Sequence, residues 1–81
     1  MRIDVRLGSG LARVAGGPRL GVDVEDGATV GDVLRRVAED RPALAGGLPG
    51  ALTVVRGSQV GDDRVLREGD EVAVLTPVAG G

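Results

Sequence analysis

The sequence predicts an α+β roll, with one main helix packed on a mixed sheet of four or five strands. Three observations carry that prediction. Two segments near the start alternate apolar and charged residues, as half-buried strands do. One central segment repeats its apolar residues at helical spacing. The chain then closes on a continuous apolar run, the pattern of a strand buried on both faces. Its 81 residues allow a single domain near the lower size limit for burying a core. That core must come from 14 valines, nine leucines, one isoleucine and some alanines, because aromatic residues and cysteine are absent. β-branched valine favours strands. So small a core rarely leaves more than roughly 3–5 kcal/mol of net stability.

The elements follow in order. In "MRIDVRL", Ile3, Val5 and Leu7 share one face, and Arg2, Asp4 and Arg6 the other. "GSGLARVAGGPR" reads as a glycine-rich loop anchored by Leu11 and Val14. "LGVDVED" alternates again, with Leu20, Val22 and Val24 inward, so the two strands form an antiparallel pair. In "GATVGDVLRRVAEDRP", Val30, Val33, Leu34, Val37 and Ala38 form one helical stripe. Thr29 is the predicted N-cap and Asp32 completes a capping box, placing negative charge at the positive end of the helix. Arg41-Pro42 stops the helix, since a residue before proline is pushed out of the helical region.

"ALAGGLPG" reads as a loop with one short helical turn. "LTVVRG" predicts a strand from Leu52 to Arg56 turning at Gly57-Ser58, followed by strand stubs near Val60 and Val65. Glu68-Gly69-Asp70 is a turn, and Glu71 to Thr76 the last strand. That strand, the most apolar, is expected centrally, beside the first. The helix should cross one face of the sheet with right-handed sense.

Composition excludes several functions. Net charge is −2 with both signs interspersed, which argues against nucleic acid as a partner. No apolar run approaches a membrane span and no signal-peptide pattern opens the chain, so a cytoplasmic monomer is expected. All ten basic residues are arginine. With no histidine, cysteine or lysine, neither a nucleophilic triad nor a Schiff base can be assembled, and the usual zinc ligands are missing. The paired carboxylates Glu25-Asp26 and Asp62-Asp63 read as solvated turn residues. The glycine-rich stretches lack the lysine and spacing of a phosphate loop. The chain is expected to be no enzyme and to bind no cofactor or metal.

The remaining feature is the end, "LTPVAGG". Glycine supplies 15 of 81 residues, so a terminal pair has a chance probability of about 0.03 on composition alone. Alone, it reads better as a frayed terminus. Yet Pro77 ends the sheet ladder, and residues Pro77 to Gly81 reach roughly 17 Å when extended. Without charge, and without Cβ at Gly80 and Gly81, such a tail suits a narrow partner channel.

Together these stretches resemble the MoaD/ThiS family of ubiquitin-like sulfur carriers, which have the β-grasp fold. "REGDEVAVLTPVAGG" looks like the family's turn, last strand and diglycine tail, and "VEDGATVGDVLRRVAED" its second strand and helix entry. The resemblance implies a β-grasp domain over residues 1–76 and a flexible tail over 77–81. It implies that an adenylating enzyme uses ATP to activate Gly81, which sulfur transfer converts to a thiocarboxylate. Gly80 would give access, while Leu75, Pro77, Val78 and Ala79 would contact the partner. A sulfur-accepting synthase or large subunit would be the second partner. "TPVAGG" is similar to the small subunit of molybdopterin synthase. Val74-Leu75 stands where that subunit often has an aromatic pair, and "LGSGLARVAGG" looks more like carriers serving cysteine biosynthesis. Thiamin-pathway carriers tend to be shorter. The alternative is a ubiquitin-like modifier joined to target lysines through Gly81, which without lysine could not build lysine-linked chains on itself.

Overall fold

A computed structural model describes residues 1–76. The elements run β1 (Arg2–Leu7), α1 (Ser9–Ala15), β2 (Arg19–Asp23), α2 (Val30–Asp40), a 3₁₀ turn (Pro42–Gly47), β3 (Leu52–Val55), β4 (Ser58–Val60) and β5 (Glu71–Leu75). The five strands form one sheet in the order β2-β1-β5-β3-β4. β1 pairs antiparallel with β2 (Val5 opposite Leu20) and parallel with β5 (Val5 opposite Val72). β3 pairs antiparallel with β5 and with β4. This is the mixed α+β roll that the patterning predicts, with the last strand in the centre, and the ubiquitin-like form that the family resemblance implies.

Strict alternation in β1 puts Ile3, Val5 and Leu7 in the core and Arg2, Asp4 and Arg6 in solvent. Val22, Val55, Val72 and Val74 extend the same face across the sheet, and Val30, Val33 and Val37 of α2 close over it. Thr29 caps α2 as predicted. Its Oγ1 accepts from the Asp32 N–H at 3.2 Å, and Asp32 Oδ2 accepts from the Thr29 N–H at 2.9 Å. The next two N–H groups, of Val30 and Gly31, donate to the carbonyls of Arg64 and Asp62, both at 2.9 Å. The helix start is therefore tied to the segment before β5. Arg41 leaves the helical region at φ −134°, ψ 77°, and Pro42 prevents continuation.

Five expectations need correction. The glycine-rich stretch after β1 is not a loop but the short helix α1. "LARVA" consists of adequate helix formers, Leu11 is buried and Ala15 half-buried on one face, and Gly16 stops the helix in the left-handed region at φ 83°. Val14 lies off that face and is 54% exposed, so it anchors nothing. Leu34 is only half-buried, because it sits at the edge of the α2 stripe. β5 is buried on one face only: Val72 and Val74 are enclosed, whereas Ala73 is half-buried and Leu75 exposed. Among the described residues, no helix covers the second face of the sheet. Finally, β3 ends at Val55, and the hairpin turns at Arg56-Gly57 rather than Gly57-Ser58.

Candidate functional site

Of the residues predicted to carry function, Pro77, Val78, Ala79, Gly80 and Gly81 lie outside the described residues. Leu75 is described, and with Thr76 it is the root from which that segment continues. β5 fixes this root from both sides. Leu75 stands opposite Leu52 on β3, and the Gly8 N–H donates to the Val74 carbonyl at 2.9 Å. The approach at Gly8 is close enough that an added Cβ would come within 3.3 Å of Leu75 Cδ2.

Around the root, the outer face of the sheet is apolar. Leu52 and Leu75 form one cross-strand pair, 39% and 37% exposed, and half-buried Val54 and Ala73 form the next. Charged residues rim this block. Arg6, opposite Ala73 on β1, pairs with Glu71 at 3.8 Å. Beyond them lies a basin of about 510 Å³, floored by Val54 and Ala73 and walled by Arg6, Arg56, Asp70 and Glu71. An apolar centre with a charged rim is the composition of a protein-docking surface. Sequence reading found Leu75 but missed Leu52 and Val54. Alternation in "LTVV" was the available signal, since Thr53 and Val55 point inward.

Arg56 was missed too. It has φ +53°, followed by Gly57 at +78°, the mirror-image turn of a two-residue hairpin that asparagine or glycine usually begins. Its side chain stabilises that conformation. Nε and Nη2 donate to Asp70 Oδ1 at 3.2 and 2.9 Å, while Asp70 Oδ2 accepts from the Arg67 N–H at 2.8 Å. Asp70 is only 8% exposed. The Arg67 N–H, and then Arg56, hold its carboxyl below the ordinary value of 3.8, against the opposing effect of burial. The "REGD" turn and the β3–β4 turn are thereby locked together beside β5.

A second depression, about 540 Å³, lies between the β2–α2 loop and α2, with Asp32 and Arg35 on its wall. Asp32 is held low by the Thr29 backbone N–H and hydroxyl, with Arg35 adding at 3.2 Å. Glu25, Asp26, Asp62 and Asp63 are all exposed, as expected of turn carboxylates. Among the described residues no three His, Cys, Asp or Glu side chains gather into a metal-holding group. Among the same residues, no helix is long and apolar enough to cross a membrane.

Comparison with known proteins gives the site its context. The ThiS family model matches residues 10–81, from α1 through the diglycine. The chain belongs to the ThiS family. Small archaeal modifier protein 3 of Haloferax volcanii is 35% identical over 92 residues, with all of both chains covered. Small archaeal modifier protein 1 of the same organism is 37% identical over 87 residues, covering 98% of this chain and all of the relative. The crystal structure of SAMP1 from Haloferax volcanii superposes with a TM-score of 0.92 at 30% identity, covering both chains completely. This ThiS-family chain is thus a β-grasp, ubiquitin-like protein of the MoaD/ThiS superfamily. Both Haloferax volcanii relatives are named as modifier proteins.

Proposed function

We propose that the chain is a ubiquitin-like modifier, activated at Gly81 by an adenylating enzyme and joined to amino groups of target proteins. The observation that carries this reading is the pair of full-length relatives at 35% and 37% identity, both modifier proteins. The chemistry needs a partner. A carboxylate is a poor electrophile, so its oxygen attacks the α-phosphorus of ATP, and pyrophosphate leaves. The resulting acyl-adenylate carries AMP as a leaving group. A target amine, or a relay thiol first, then attacks the Gly81 carbonyl carbon as AMP departs and the amine loses its proton. Gly80 and Gly81 suit a narrow channel because neither carries a Cβ. Docking on the block of Leu52, Val54, Ala73 and Leu75 would hold the domain while Pro77, Val78 and Ala79 line the entrance.

The extent of the ThiS family match, through Gly81, supports a second reading. The same adenylate can accept sulfur and become a thiocarboxylate for a sulfur-accepting synthase. One incubation separates the two. With adenylating enzyme, ATP, a sulfur donor and target protein, a modifier gives adducts on target lysines that survive thiol reductants. A dedicated carrier gives a free chain heavier by sulfur in place of oxygen. Neither product would refute both readings.

A further inference from the structure

We infer that this chain is a poor acceptor of its own activated end, so that its conjugates grow by one unit only; the inference rests on the modifier reading. Chain growth needs a nucleophile on the modifier itself. The amine must attack the activated Gly81 carbonyl carbon of a second copy, the C–N bond forming as AMP or a thiol leaves and the amine gives up a proton. The 81 residues contain no lysine, cysteine or histidine, and every basic side chain is arginine. A guanidinium stays protonated and cannot serve. Among the hydroxyls, Thr53 donates to the Val60 carbonyl at 2.7 Å and Thr29 is spent on the α2 cap.

The only amine in the 81-residue sequence is then the Met1 ammonium, and its nitrogen is engaged by the fold. Arg2 stands opposite Asp23 in the β1–β2 ladder, so Met1 stands opposite Val24. The Met1 nitrogen donates to the Val24 carbonyl, and the Val24 N–H returns a bond to the Met1 carbonyl at 2.9 Å. The pair is a closed rung. Asp26 adds its carboxylate 3.9 Å from the same nitrogen, and the Met1 side chain is 4% exposed. To attack, this amine must first leave the Val24 carbonyl and break the last rung of the sheet. The two acceptors that link ubiquitin-like units, a lysine and a free terminal amine, are thus missing and sequestered respectively.

The test has two parts. The 81-residue chain is treated with an N-hydroxysuccinimidyl acetate reagent at neutral pH, folded and in denaturing urea, and acetylation at Met1 is followed by mass spectrometry. The folded chain should label at least about tenfold more slowly, because opening must precede reaction. Equal rates, after correction with a short unstructured peptide in both solvents, would overturn the sequestration of Met1. In the second part, the adenylating enzyme, ATP and target should give single-unit adducts. Arg19→Lys, a substitution at an exposed position on the β2 edge, should convert them to ladders. Multi-unit adducts from the parent chain, or single units alone from Arg19→Lys, would refute the inference. Failure of all conjugation would count against the modifier reading, while the labelling rates would still decide the status of Met1.

Discussion

Asp70→Asn tests the clasp beside β5. The replacement keeps shape but offers one oxygen and one NH₂ where the carboxylate offered two acceptors. Asp70 satisfies donors on both sides: two nitrogens of Arg56 on Oδ1 and the Arg67 N–H on Oδ2. The Arg67 N–H is fixed by the backbone, so the amide oxygen should turn toward it and the NH₂ toward Arg56. Arg56 is 53% exposed and can swing into water, so the loss falls short of that for a fully buried pair. Charge-assisted hydrogen bonds contribute about 1.5–3 kcal/mol, and solvent access brings the expected loss to about 1–2 kcal/mol. For a domain of this size that lowers Tm by about 4–8 °C per kcal/mol. The loss should depend on pH. Because the native carboxyl titrates below its unfolded value near 3.8, its stabilisation is complete above that value. It is lost as pH falls through the native value. Urea denaturation should show the full difference between parent and variant at pH 7, narrowing below about pH 4. Equal stabilities at pH 7, or a gap undiminished in strong acid, would refute the reasoning.

Other outcomes follow from the same geometry. Val33→Ala empties space in a residue fully enclosed by the core and should cost about 2–3 kcal/mol by chemical denaturation, a large fraction of the total. Leu34→Ala, at a half-buried position, should cost less despite the larger side chain, because solvent fills the gap. Gly57→Val forces a β-branched residue to φ 78° and should lower Tm, the loss exceeding about 1 kcal/mol. Leu75→Asp should raise the adenylating enzyme's KM for the chain about tenfold or more with the fold intact, read by pyrophosphate release. Deleting Gly81 should abolish adduct formation and leave Tm unchanged.

Much of this fold was legible because each element carries its period in its own residues. Ile3-Val5-Leu7 and the Thr29-Asp32 box need no tertiary information. α1 was hidden by glycines at its ends, which act as boundaries and not as interruptions. β5 misled for another reason: an unbroken apolar run does not say whether a second layer covers its far side, and none does among the described residues. The site was half legible. Gly80 and Gly81 stand as proposed from their missing side chains and lie outside the described residues, whereas Leu52 and Val54 join the apolar face only through pairing with β5. Arg56 and Asp70, 14 residues apart, meet only when two turns fold onto each other.

The parallel pairing of β1 with β5 bears on when the proposed site would become usable. The strand that carries the root is the last to be synthesised, yet it must enter between two strands made earlier. Such long-range contacts form late in folding. The apolar block beside Leu75 is therefore assembled only by a chain that has folded throughout, since β3 and β5 contribute it jointly. An enzyme that requires this block before it accepts the diglycine would pass over nascent, misfolded or truncated copies. Under the proposed function, the topology would make the sheet a proofreading surface, with ATP spent on finished molecules.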